Sequence, residues 1–292
     1  TSIGPSCFNE CNNLSIISIS PYIESIEEKT FYKCTSITNL QFLYNVMFIG
    51  PYSFYNCISL TRITIPSSVI EIGDHAFEDC TNLVQITIPS SVTSIGSYAF
   101  SECNSLTDIT IPPYVNVINQ YTFNKCTSLQ QIILPHSITL IDKYAFNGCT
   151  SLQQIDYPPY LSSIEEGVFC GCRSLNQFTI SSLITLIGNC AFAFCSRLTQ
   201  LIIPNSVVSI GDGAFCECEN LTQIEIPSSV TKIGEGAFYG CSELVQMEIP
   251  SSITVIEKET FDNCRFLEQV IIPTSVTKIK EGAFKDCVSL IH

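Results

Sequence analysis

The stretch Leu83 to Cys103, LVQITIPSSVTSIGSYAFSEC, decides how the chain is read, because its pattern returns every 23 residues from one end to the other. With Phe100 as marker, the equivalent residues are Phe8, Phe31, Phe54, Phe77, Phe123, Phe146, Phe169, Phe192, Phe215, Phe238, Phe261 and Phe284, with no insertion or deletion between them. A Cys follows each marker by three residues and an Ile precedes each by five. A Leu follows each by six, except at Ile37. A fixed period of this length is the mark of a solenoid, in which no unit can bury its own apolar side and the stack does it instead.

A chain of 292 residues could hold two ordinary domains, but the unbroken period predicts a single solenoid over residues 1–292, of about thirteen repeats and with no linker. The chain opens at Thr1 without Met, shows no leader-like segment, and starts and stops within a repeat, so it reads as a trimmed fragment. A net charge of -14 with 13 Lys and Arg argues against nucleic acid and anionic lipid as partners. The 46% hydrophobic content falls at fixed phases and never runs for the roughly 18 residues of a membrane span, so no transmembrane segment is expected.

Within the unit, Leu83, Ile86 and Ile88 end in alternation and stop at Pro89, which cannot donate to a ladder. They read as a short strand. Pro66, Pro112, Pro135, Pro158, Pro204, Pro227, Pro250 and Pro273 share that phase, with Ser20, Leu43 and Ser181 as exceptions. Beyond the turn come Val92, Ile95, Gly96, Ala99, Phe100 and Cys103. Their spacing suits one helical turn with an inward face, or else a second short strand over Val92 to Ile95. Stacked rungs should place parallel strands about 4.8 Å apart. Between Leu40 and Phe54 the residues Phe42, Tyr44, Met47 and Phe48 thicken the apolar content, which is read as local packing rather than a partner contact.

Seventeen cysteines would ordinarily suggest a disulfide framework. Thirteen of them share one phase, however, and in-register parallel units point equivalent side chains the same way instead of at each other. A ladder of buried thiols follows, since free Cys behaves as a small buried hydrophobe. The remaining four are Cys7, Cys170, Cys190 and Cys216, two of which create the pairs Cys170/Cys172 and Cys216/Cys218. Zinc needs about four converging ligands. These pairs lie two rungs apart with one member each committed to the ladder, so the extras read as partly exposed thiols, and no metal or cofactor is expected.

The unit LxxIxIPSSVxxIGxxAFxxC is similar to the BspA-like leucine-rich repeat, the 23-residue class also found in treponemal proteins. Residues 83–105 and 221–243 carry it nearly letter for letter, and the resemblance covers the whole chain. It departs where Glu27, Asn119, Asp142, Glu165, Glu257 and Lys280 replace the Gly96 equivalent, which bears on local turns. The resemblance implies a curved, right-handed leucine-rich-repeat coil with a parallel β-sheet on its concave side and short turns or helical turns on its convex side. It also implies a non-catalytic protein-binding role, of the kind proposed for adhesion to host or extracellular-matrix proteins at bacterial, trichomonad and amoebal surfaces.

Strand side chains between core positions point outward. One such row is Gln85, Asp108, Gln131, Gln154, Gln177, Gln200, Gln223, Gln246 and Gln269, beside a row that includes Thr64, Thr87, Thr110, Asp156, Thr179, Glu225 and Glu248. This is a candidate partner face, although an amide row can equally bond to itself along stacked strands. A second candidate is the aromatic file Tyr52, His75, Tyr98, Tyr121 and Tyr144, two residues before the marker. Tyrosine is enriched at interfaces, and self-packing is the competing account. The sequons Asn13-Leu-Ser15 and Asn220-Leu-Thr222 adjoin buried Leu positions and read as chance.

Catalysis needs dissimilar groups converging on one point, and equal rungs produce rows. His75, His136 and His292 lie at three different phases, and the motifs GxSxG, HExxH and GxxxxGK[ST] do not occur. IGDGAF at residues 210–215 lacks the third glycine of a dinucleotide loop. The chain is therefore expected to be a protein-binding module, displayed on or secreted from a cell. The alternative is a cytoplasmic scaffold or a structural component of a cytoskeletal or filamentous assembly. Apolar Ile3 and Leu290 in the end rungs suggest end-to-end or homo-oligomer contacts.

Overall fold

In the computed structural model of the chain, which describes residues 2–41 and 45–292, each regular rung supplies a three-residue strand, a two-residue strand and a run of turns. The chain falls into two compact units, Thr1–Ser151 and Leu152–His292. Each is a parallel β-solenoid, and every strand pairs with the residues one repeat away: Arg62 faces Gln85, Ile63 faces Ile86 and Thr64 faces Thr87. In the first unit the short strands Ser2–Ile3, Ser25–Ile26, Phe48–Ile49, Glu71–Ile72 and Ser94–Ile95 form a five-stranded parallel sheet. In the second, Ser163–Ile164, Leu186–Ile187, Ser209–Ile210 and Lys232–Ile233 form a four-stranded one.

The helical turn expected after Gly96 is not formed, and no helix occurs among the described residues. The short strand Ser94–Ile95 is present instead, followed by turns in which amides alternate between two kinds of partner. Ala99, Ser101 and Cys103 donate back three residues, to Gly96, Tyr98 and Phe100, whereas Tyr98, Phe100 and Glu102 donate to the next rung, at Gln120, Thr122 and Asn124. Directing every second N–H sideways requires left-handed backbone at Tyr98 (φ 57°) and Glu102 (φ 58°), and that conformation stops a helix. All thirteen repeats carry this pair, from Ser6 and Glu10 to Gly282 and Asp286.

The marker phenylalanines stack within each unit, with ring centroids 5.2–5.6 Å apart from Phe8 to Phe146 and 5.4–5.6 Å apart from Phe169 to Phe284. The cysteine ladder forms, and its chemistry is specific: Cys103 Sγ donates to the Phe77 carbonyl of the preceding rung at 3.2 Å. Cys57, Cys80 and Cys126 in the first unit and Cys195, Cys218 and Cys241 in the second do the same. Each thiol thus points along the stack at a carbonyl. None of the seventeen cysteines is joined in a disulfide.

Two local expectations fare differently. Phe42 and Tyr44, with Leu43, lie outside the described residues. Met47 and Phe48 are exposed, so the packing account fails at those two positions.

Candidate binding surface

The three-residue strands set the outward face. In Gln85–Thr87 the central Ile86 is buried against the core while Gln85 and Thr87 stand in solvent, as the alternation of a strand demands. All nine members of the Gln85 row are exposed. No side-chain hydrogen bond joins one member to the next among the described residues; Asp108 accepts from its neighbour Thr107 at 2.9 Å. The amides are therefore not spent on a ladder.

The outer row contains residues that its polar members alone do not suggest. Ile133 in the first unit and Ile202 and Ile271 in the second occupy the same outward phase as Thr87, and they are 53%, 84% and 51% exposed. Their phase marks them as outward; only their apolar character reads as core. In the second unit they border two adjoining grooves. One, of about 540 Å³, is lined by Gln200, Ile202, Pro204, Gln223 and Glu225, and the other, of about 440 Å³, by Gln223, Glu225, Gln246, Glu248 and Ile271. Glu225 and Glu248 are exposed and form no ion pair among the described residues.

Next to these grooves the strand ladder is interrupted. Residues 154–156 and 177–179 form no strand, although Gln154 and Gln177 remain exposed. Phe178 occupies the inward phase of Ile86 and Tyr157 that of Ile88. Their rings pack 5.4 Å apart, and Phe178 packs 5.1 Å from Phe169 and 5.0 Å from Phe192. The Tyr157 hydroxyl donates to the Ser163 carbonyl at 3.1 Å. Rings in place of isoleucines leave strand pairing unsatisfied, and a shallow groove of about 410 Å³ opens between Gln154 and Ser181.

The aromatic file of the first unit packs on itself. Tyr52, His75, Tyr98, Tyr121 and Tyr144 stack at centroid spacings of 4.3, 4.6, 4.6 and 5.0 Å, within 14° of parallel. Ring faces are thereby taken by neighbours, leaving edges to solvent. The Lys29 ammonium lies 5.4 Å above the Tyr52 ring, and His75 Nδ1 bonds to the Glu78 carboxylate. Burial pushes the Glu78 carboxyl up from its ordinary range, an effect the histidine partly opposes. His136 and His292 are exposed. No group of three or more His, Cys, Asp or Glu among the described residues is placed to hold a metal ion, and among the described residues no helix is long and apolar enough to cross a membrane.

Comparison with known proteins agrees with this geometry. The model of the BspA type leucine-rich repeat region matches residues 1–129, 70–199 and 185–292. Among solved structures, a leucine-rich repeat protein from Bacteroides ovatus is 28% identical with a TM-score of 0.72, covering 94% of this chain and 85% of that one. A leucine rich cell surface protein from Faecalibacterium prausnitzii is 34% identical with a TM-score of 0.69, covering 96% and 87%. A leucine-rich repeat protein from Eubacterium ventriosum, 23% identical with a TM-score of 0.64 over 94% and 79%, shares the fold. No curated protein matches the chain. With the family's repeat matched from end to end, and its rungs stacked as parallel strands on a phenylalanine and cysteine core, the chain belongs to the BspA type leucine-rich repeat family.

Proposed function

We propose that the chain is a non-catalytic protein-binding module of a cell-surface or secreted protein, and that its partner is a protein of a host surface or extracellular matrix. The observation that carries this reading is the outward strand face of the second unit. There Gln200, Gln223, Gln246 and Gln269 present unspent amides over grooves bordered by Ile202 and Ile271. Apolar anchors among hydrogen-bonding groups are what a protein interface uses, whereas scattered single apolar residues are not. Glu225 and Glu248 favour a partner segment bearing Lys or Arg. The surface location draws on the Faecalibacterium relative, which is described as a cell surface protein.

A cytoplasmic scaffold is the second reading, favoured by seventeen thiols with no disulfide among them. The test is photo-crosslinking from Gln223 on intact host cells, compared with crosslinking from Lys258 outside the face, together with an Ile202→Arg, Glu225→Lys, Glu248→Lys variant. The expected result is a crosslinked host surface protein from Gln223 only, and binding about tenfold weaker or more in the variant at unchanged melting temperature. Equal crosslinking from both positions, or undiminished binding by the variant, would reject the strand face as the site.

A further inference from the structure

Three thiols of the second unit stand outside the ladder, and their positions are related. Cys190 lies two residues before its marker Phe192, whereas Cys170 and Cys216 lie one residue after Phe169 and Phe215, in the rungs on either side. All three are half-buried. Side chains at these two phases meet across the turn: in the first unit the Tyr52 and Tyr55 rings are 5.9 Å apart and His75 bonds to Glu78.

Cys190 occupies the file that the stacked tyrosines fill in the first unit, but its equivalents one rung away are Gly167 and Gly213. The missing side chain at Gly213 is what brings two cysteines together. A Cβ placed there would lie 3.3 Å from Cys190 Sγ and 3.7 Å from Cys216 Cβ, with no third side chain at that distance. The Cys190 thiol has only a long contact of 3.8 Å to the Asp212 carbonyl, unlike the ladder thiols, which are held at 3.1–3.2 Å by theirs in Cys195, Cys218 and Cys241. It is therefore free to turn across the glycine.

We propose that Cys190 and Cys216 are a redox-active pair that closes a disulfide across neighbouring rungs by exchange with a low-molecular-weight disulfide such as oxidised glutathione. In the first step the Cys190 thiolate attacks one sulfur of the glutathione disulfide. A Cys190–glutathione bond forms, and one glutathione leaves as thiolate and takes up the proton given by Cys190. In the second step the Cys216 thiolate attacks Cys190 Sγ, the Cys190–Cys216 bond forms, and the second glutathione leaves and takes up the remaining proton. Two protein thiols are oxidised and one glutathione disulfide is reduced to two thiols.

The surroundings set the pace of this exchange. Burial pushes the Cys216 thiol up to about 12, with Glu217, Cys190 and Cys170 adding to it, and burial with Cys190 beside it pushes Cys170 up to about 11. Thiolate is scarce at neutral pH, so exchange is slow there and accelerates as pH rises.

The test uses the full chain, incubated with oxidised glutathione at mildly alkaline pH, quenched in acid, alkylated and digested for mass spectrometry. The expected product is a peptide pair linked through Cys190 and Cys216, with the ladder cysteines still alkylated only after unfolding. Cys216→Ser should halt at the Cys190–glutathione mixed disulfide, and Cys170→Ser should leave the link intact. Gly213→Ala keeps every thiol but places a methyl group 3.3 Å from Cys190 Sγ and 3.7 Å from Cys216 Cβ, in the space the link has to cross, and the linked pair should be lost. Three free thiols, a bond from Cys190 to Cys170, or a link that survives Gly213→Ala would each overturn the proposal.

Discussion

Two glycine-bearing phases of the repeat look alike in the sequence, and the backbone separates them. Gly96 is required for space: a Cβ there would lie 2.4 Å from the Asp74 nitrogen of the preceding rung. Two residues on, the requirement is one of angle, with φ near 57° whether the residue is Tyr98, His75 or, at 59°, Gly213. Tyrosine at such a position costs about 1 kcal/mol or somewhat more, and Tyr98 recovers it by stacking on His75 and Tyr121, at about 0.5–1.5 kcal/mol for each aromatic pair. Gly96→Ala should therefore cost about 3 kcal/mol through overpacking against backbone, whereas Tyr98→Gly should change stability by no more than about 1 kcal/mol. Urea midpoints of the two variants decide the matter, and a larger loss for Tyr98→Gly would mean that the stack outweighs the close approach. The sequence reveals the first requirement in part, because glycine recurs there in some rungs while Glu27, Asn119, Asp142, Glu165, Glu257 and Lys280 stand at that phase in others. It hides the second, because the inter-rung hydrogen bonds impose the left-handed angle and residues as different as Lys29, Cys190 and Glu259 accept it.

At the level of elements, strands were legible because alternation over three residues and a fixed period together specify which side chains enter the core. Ile86 and Gln85 fall on opposite sides as their phases require. The turns were not legible, since the spacing of Ile95, Ala99 and Cys103 fits a helical face as well as a flat turn whose amides bond sideways. The outward isoleucines were available from phase alone, yet an apolar residue in a strand reads as core unless its register is followed. Register also explains the gap at residues 154–156 and 177–179, where Tyr157 and Phe178 stand at inward phases that regular rungs give to isoleucine. Tyr157→Ile with Phe178→Ile should restore strand pairing. Hydrogen exchange at residues 177–179 should slow by about tenfold or more, the rate equivalent of a local opening costlier by about 1.4 kcal/mol. Unchanged exchange would show that Pro158 and Pro159, not the rings, keep these strands apart.

Over the whole molecule, what distinguishes this chain from an ordinary acidic protein is the number of buried thiols that must ionise when it unfolds in alkali. Ladder cysteines Cys34, Cys57, Cys80, Cys103, Cys126 and Cys149 are buried in the first unit, and Cys172, Cys195, Cys218, Cys241 and Cys264 in the second. Burial pushes up the thiols of Cys34, Cys57, Cys80, Cys103 and Cys126 in the first unit and of Cys195, Cys218, Cys241 and Cys264 in the second, to about 12 at Cys80 and well above the ordinary value at Cys103 and Cys241. An unfolded thiol titrates near about 8.5. Below that pH both states hold the proton and the ladder's contribution is fully present; above it the unfolded chain sheds protons that the folded chain keeps, and stability falls as pH rises towards the folded values. Each thiol contributes about 1.4 kcal/mol of loss for every pH unit in that window. Four or five acting together in one unit amount to about 6 to 7 kcal/mol per pH unit, comparable with the whole stability of a typical domain. Under reducing conditions each unit should therefore lose its β-structure cooperatively at about pH 9 to 10, with thiolate absorbance rising in the same step. Replacing Cys57, Cys80, Cys103 and Cys126 by Ala should lower stability at neutral pH yet move the alkaline midpoint of the first unit upward relative to its own neutral stability. A native circular dichroism spectrum that persists to about pH 11 with the thiols still protonated would show that burial and the Sγ-to-carbonyl bonds of the ladder outweigh this ionisation.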